Sequence, residues 1–432
     1  MTNNGNNFSH HQEGAGRVRA RRLLLCLDGV PHEVIRAAKG RGLFDAFGAP
    51  SKLLSPFPTM TNVALSCMLD ASAPLGYESL YFDKQARELR GGARKYIGRR
   101  TPDKIPSSYM DRLDYQEPLA FEFLVYVAPE TVWRADMQRF RERFRAAPQD
   151  RDYFAFLKGT DGLLHIRGRH RLDAALESLD KILTEIHDWC GDETEIVLFS
   201  DHGMNLEENR RVHLQTHLLR YGYSVTDYLG KRARHSVAVP AFGLCGYAAL
   251  YCGSEEDAPA LADVLVALEG VDFAVHLEGT EAAVIVKGES GAARISRRVD
   301  EPDKLYRYEQ LTGDPLQLAP VVRTLTEENL LDRNGFATDD AWYARTAGHI
   351  YPDALANIYD SLHAPRVGHT ADVLVSLKDG YYYGSSLFSR FVRLAATHGN
   401  ALCASTNAFL MSTRRTFPAH VRAHDARPYL LG

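Results

Sequence analysis

Between residues 153 and 200 the apolar positions change period twice. "YFAFLKG" is a short apolar run of strand length. Then Leu172, Ala175, Leu176, Leu179, Ile182, Leu183, Ile186 and Trp189 recur at helical spacing, and Gly191 follows as a stop. "EIVLFS" is a second run of strand length. Strand, long helix and strand make a crossover unit, so the pattern predicts parallel strands joined by a right-handed connection. "RRLLLCLDG" begins the chain in the same manner, and "NAFLMST" at 407–413 reads as a late strand. This is α/β organisation.

Other stretches depart from that rhythm. Residues 1–17 are polar and glycine-rich and read as a disordered tail, in which His10 and His11 are incidental. Residues from about 84 to 150 are rich in Arg, Tyr and Pro, and "MQRFRERFRAAPQDR" reads as a helix with a solvated basic face. Residues from about 235 to 300 look like a small unit: "SVAVPAFGLCGYAALYC", a helical "DAPALADVLVALEG", then "VDFAVHLEG" and the pair "EAAVIVKG"–"AARISRR", joined by "ESG" like a hairpin. These read as insertions over one core.

Composition narrows the classes. The 432 residues are 45% hydrophobic, so a sizeable core is available. A net charge of −4 gives no electrostatic case for a dedicated nucleic-acid or membrane-surface binder. No apolar run approaches the ~20 residues that span a bilayer. The six cysteines are scattered without a CxxC and read as reduced thiols of a cytoplasmic protein. Neither GxGxxG nor GxxxxGK[ST] occurs, so a nucleotide-cofactor enzyme has no support.

The chemistry lies where the strands stop. "LLLCLDG" ends on Asp28, "YFAFLKGTD" on Asp161 and "EIVLFSD" on Asp201. One such aspartate is ordinarily a turn former or helix cap. Three at the carboxyl ends of parallel strands share the rim where ligands bind. Gathered there, they repel one another unless a cation sits between them. His165 and His202 follow at short offsets, and imidazole nitrogens favour zinc-like metals over magnesium or calcium. "SPFPTMTN" adds two hydroxyls, Thr59 and Thr61. Alone it reads as a capping turn. Beside a metal, a threonine hydroxyl becomes a competent nucleophile.

Taken in order, "LLLCLDGV", "FPTMTN", "KGTDGLLH", "LFSDHGM" and "ATHGNALCASTNAFLM" resemble the alkaline phosphatase superfamily, most of all its nucleotide pyrophosphatase/phosphodiesterase branch. The resemblance spans residues 23 to about 413. It implies an alkaline-phosphatase-like α/β core, with a largely parallel central sheet flanked by helices and an inserted small α/β subdomain. It implies a catalytic unit over 18–432 with insertions at about 84–150 and 205–390. One divalent metal would be held by Asp161, His165 and His398, the other by Asp28, Asp201 and His202. Both would be zinc, with manganese as the alternative. Thr61 would be the metal-bound nucleophile of a hydrolase that cleaves phosphodiesters or pyrophosphates through a phosphothreonine. Asn62 would bind a phosphoryl oxygen through its backbone N–H or its amide; its other reading is a helix cap. His398 comes from "THG", and His369 in "VGHT" competes for that place. The implied partner is a small phosphate ester.

Some residues stand outside the pattern. Where the family carries an asparagine for the phosphate, "GYESLYFD" offers Phe82 and Asp83. His213 and His217 share a helix face and read as structural. Arg167, Arg169 and His170 stand equally as substrate contacts or a solvated loop. The rival enzyme readings are a phosphomonoesterase or phosphonate hydrolase on the same metals. The rival outside enzymes is a metal-binding protein without turnover.

Overall fold

The computed structural model describes residues 21–92, 105–118, 124–125, 127–191, 193–230, 233–279, 283–300, 303–386, 389 and 393–432. The polar tail, with His10 and His11, lies outside them. Among the described residues, seven strands form a central sheet: β1 (Arg22–Leu27), β2 (Ser51–Leu54), β3 (Tyr115–Gln116), β4 (Tyr153–Leu157), β5 (Glu195–Ser200), β6 (Asn407–Ser412) and β7 (His420–Arg422). Their order across the sheet is β7-β2-β6-β5-β1-β4-β3. β1 runs parallel to both β4 and β5, β3 is parallel to β4, and β2 is parallel to β7. β6 alone of the seven runs antiparallel, against β5 and β2. The sheet is therefore largely parallel.

Alternation along β1 shows why both faces are covered. Leu23, Leu25 and Leu27 face one core with α1 (His32–Gly40), α3 (Pro129–Ala146), α4 (Gly159–Arg167) and α5 (Arg169–Cys190). Leu24 and Cys26 face the other with Ala64, Leu65 and Met68 of α2 (Thr61–Met68). A period of two with both sets apolar is what a strand buried on both sides requires. The strands on either side of α5 are parallel as expected, and α5 ends at Gly191 with φ of 77°. α3 is the helix expected in the Arg-rich stretch. Its Val132, Trp133, Met137, Phe140 and Phe144 are buried at helical spacing while its arginines face solvent. β3 lies at one edge of the central sheet, and α3 packs on the face that Leu23, Leu25 and Leu27 present.

The other insertion is larger than its patterning suggests. Among the described residues, a second sheet runs from Ser224 to Leu377 and takes in nine strands, paired antiparallel except for Ser224–Val225 beside Ser236–Ala238. The "ESG" hairpin is there, with Gly288 paired to Gly291, and a second hairpin pairs Asp300 with Asp303. Among the described residues no helix is long and apolar enough to cross a membrane.

Candidate metal centre

β4, β1 and β5 are neighbours in register: Leu27 lies opposite Leu157 on one side and Ser200 on the other. Their carboxyl ends therefore deliver Asp28, Asp161 and Asp201 to one stretch of rim. Asp28 N–H donates to Leu157 O at 3.0 Å, and the Thr160 hydroxyl donates to Asp28 O at 2.7 Å. Asp161 sits in the first turn of α4, which places His165 one turn on. Asp201 and His202 leave β5 directly. His398 arrives on the loop before β6. Asn205 holds that loop: its N–H donates to Thr397 O at 2.8 Å, and its side chain accepts from Thr397 N–H at 3.0 Å.

These residues form two triplets, Asp161–His165–His398 and Asp28–Asp201–His202, in each of which the ligand atoms lie within 4.8 Å of one another. The triplets abut through His202 and His398, stacked with ring centroids 3.9 Å apart. Thr61 Oγ1 lies 3.4 Å from both Asp28 Oδ1 and His202 Nε2, at the first position of α2. His369 is elsewhere, stacked on Tyr81 and accepting from Lys84 N–H.

The side chains are set to receive cations. Each histidine points Nδ1 at a backbone carbonyl: His165 at Ala396 O (2.8 Å), His202 at Gly203 O (2.9 Å) and His398 at Thr59 O (2.7 Å). A carbonyl only accepts, so Nδ1 carries the proton and Nε2 offers a lone pair. Those lone pairs face carboxylates: His165 Nε2 is 3.1 Å from Asp161 Oδ1, and His202 Nε2 is 3.4 Å from Asp201 Oδ2. Two acceptors at that range need a proton or a metal between them. Asp201 Oδ2 is buried and accepts no hydrogen bond. Gly29 leaves the space open. It has φ of +71°, and a Cβ there would meet Asp161 Oδ1 at 3.2 Å and His202 Cε1 at 3.3 Å. Three carboxylates and three imidazoles fit a zinc-like pair.

Without metal, the electrostatics record the crowding. Burial pushes the Asp28 carboxyl well above its ordinary range, and Asp201 and Asp161 push it further, while Lys158 partly offsets them. Burial raises Asp201 to about 6. It lowers His202 to about 4, and burial together with His202 lowers His398 to about 3. Burial also acts upward on Asp161, but His165, His398 and His202 outweigh it and hold that carboxyl below its ordinary range.

The remaining sequence candidates fall away from this point. Asn62, at the second position of α2, donates its amide to Gly76 O at 3.1 Å and accepts from Val63 N–H at 3.0 Å. Its side chain thus ties down the loop that follows the helix. Asp83 accepts from Gln85 and Ala86 N–H and pairs with Arg90, which makes it a turn residue. Arg167 is exposed and pairs with Glu130 at 3.2 Å. Arg169 is exposed at the start of α5, and the side chain of His170 lies outside the description. His213 immediately precedes the helix Leu214–Arg220 without a side-chain cap, and His217 bonds Val264 O at 2.8 Å.

Sequence reading missed the part played by Thr59. It is fully buried, its carbonyl holds His398 Nδ1, and its hydroxyl accepts from Gly399 N–H at 2.8 Å and donates to Asn400 O at 3.3 Å. A contact made through a backbone oxygen leaves no residue-type signal. Thr59→Val keeps the shape and removes the hydroxyl. We expect it to weaken zinc binding by about 10- to 100-fold, as measured by competition with a chromophoric chelator, with turnover at saturating zinc close to wild type. Unchanged zinc affinity would show that Gly399 needs no anchor.

No family model and no curated protein matches the sequence. Solved structures do. Phosphonoacetate hydrolase from Sinorhizobium meliloti 1021, in complex with phosphonoformate, is 15% identical, covers 95% of each chain and superposes with a TM-score of 0.50. Murine ectonucleotide pyrophosphatase/phosphodiesterase 5 is 13% identical over 95% of this chain and 94% of its own, with a TM-score of 0.46. Sheet order, rim and the first of these alignments lead to one conclusion: this chain has the fold of the alkaline phosphatase superfamily.

Proposed function

We propose that this chain is a two-metal hydrolase of phosphate esters, with Thr61 as the nucleophile. The observation that supports it best is the pair of abutting triplets, with each imidazole locked so that Nε2 is its free donor, beside the Thr61 hydroxyl. Zinc fits the nitrogen-rich donor set, with manganese as the alternative. Two divalent cations there would neutralise the three carboxylates and raise the acidity of the threonine oxygen. The chain's own part is positional. α2 begins at Thr61, and Val63 N–H is taken by the Asn62 side chain, which leaves the Asn62 N–H to donate to a nonbridging phosphoryl oxygen. Thr61 Oγ1 forms a bond to phosphorus, the bond to the leaving oxygen breaks, and water then cleaves the phosphothreonine. The known name of the structural neighbour with the fuller superposition, phosphonoacetate hydrolase, is in keeping with phosphoryl chemistry at such a site.

Diesters are the proposed substrates. A monoester dianion needs added positive charge beside the metals. The stretch 59–83 after the nucleophile contains no Arg or Lys, and Arg167 is engaged with Glu130. We expect kcat/KM for an aryl phosphodiester to exceed that for the matching monoester by at least about tenfold on one zinc-loaded sample. A preference for the monoester overturns the diester assignment. No turnover of either, with zinc or manganese bound, overturns the hydrolase reading.

A further inference from the structure

Glu78 lies on the loop that leaves α2. With Tyr77, Tyr81, Tyr247 and Tyr251 it lines a cavity of about 10 Å³, room for one water-sized group. Its carboxylate accepts from Gly243 N–H at 2.8 Å and from the Tyr247 hydroxyl at 3.2 Å. Burial raises its carboxyl above the ordinary value, and the groups that oppose this are the N–H groups of Gly243 and Phe242, the Tyr247 hydroxyl and the Cys245 thiol. None of them is a cation. Half-buried among aromatic rings, the carboxylate has neutral groups as its hydrogen-bond donors.

Two contacts lead from the cavity wall toward the metal triplets. Asn62, next to Thr61, donates to Gly76, close before Glu78. Tyr247 packs on Gly399, next to His398; a Cβ at Gly399 would meet its ring at 3.0 Å. A substrate whose phosphorus lies beside Thr61 can therefore extend one ester arm toward Glu78.

We propose that Glu78 and its tyrosines form a subsite for a primary ammonium group carried on that ester arm, so that the substrates are aminoalkyl phosphodiesters. This rests on the phosphoryl-hydrolase reading above. The ammonium supplies a counter-charge, donates charge-assisted hydrogen bonds to the carboxylate, and lies against the ring faces. The cavity matches it in size, and a trimethylammonium group is too large. A neutral alkyl arm leaves Glu78 as it is, and an anionic arm meets repulsion.

Zinc-loaded protein titrated calorimetrically with ω-aminoalkylphosphonates of increasing length, each against the alkylphosphonate of equal length, tests this. At the best-fitting length the ammonium ligand is expected to bind at least about tenfold more tightly than its alkyl partner. The N-trimethylated ligand should show no such gain. Glu78→Gln, which keeps the size and an acceptor oxygen, should bring the pair within about twofold while leaving the alkyl affinity unchanged. Equal binding of the wild-type pair at every length overturns the subsite and leaves the phosphoryl site standing. So does a preference that survives in Glu78→Gln. If no alkylphosphonate binds to the zinc-loaded protein, the subsite falls; if that protein also fails to turn over an aryl phosphodiester, the phosphoryl-site reading falls with it.

Discussion

Thr61→Ala is expected to lower kcat/KM for an aryl phosphodiester by about a thousandfold or more, or roughly 4 kcal/mol of transition-state stabilisation. The loss of a nucleophile is not made good by its neighbours, because Thr59 is buried with its hydroxyl committed to Gly399 and Asn400. The fold should hardly notice. Thr61 is half-buried at the start of α2, and its hydroxyl makes the two 3.4 Å contacts. Val63, Leu65 and Met68 anchor the helix instead. The thermal midpoint and zinc content of Thr61→Ala should therefore match wild type, and Thr61→Ser should keep part of the activity. Turnover of the alanine variant within about tenfold of wild type would exclude Thr61 as the attacking group.

The second large effect concerns the metals. Protein equilibrated with zinc and desalted is expected to carry two ions per chain, and Asp201→Ala to carry one, with activity lost. Asp201 is fully buried, and its orphaned oxygen faces the His202 lone pair. Removing it takes one of three protein ligands from that triplet while the other triplet stays whole. Chelation of the wild type should lower its thermal midpoint, because an ion bound only by the folded state stabilises it by mass action. Elemental analysis that finds no retained zinc or manganese, together with a midpoint indifferent to chelator, would sink the metal centre.

What the sequence discloses follows period and punctuation. β1, β4 and β5 are legible because each is a short apolar run that stops on a charge, and their parallel register brings three aspartates to one place. α5 is legible because eight apolar positions keep helical spacing up to Gly191. The direction of β6 is not, since "NAFLMS" reads the same either way and only its pairing with β5 and β2 decides. The second sheet is partly hidden for a related reason. Beyond its sequential hairpins, strands pair across long sequence gaps, as Tyr247–Cys252 does with Val373–Leu377. Thr59 and Glu78 escape because their contacts run through backbone atoms and loops, which carry no motif.

The order in which the chain supplies its ligands has a consequence for biosynthesis. Asp28 comes from the first strand of the central sheet, and His398 from the loop before its only antiparallel member. A ribosome must therefore pass nearly the whole message before the Asp161 triplet can close. Contacts spanning such a separation form late. Chains that stop short of His398 would leave the Asp161 triplet one ligand short. Capture of the second ion, at the Asp161 triplet, thus signals that translation has passed His398.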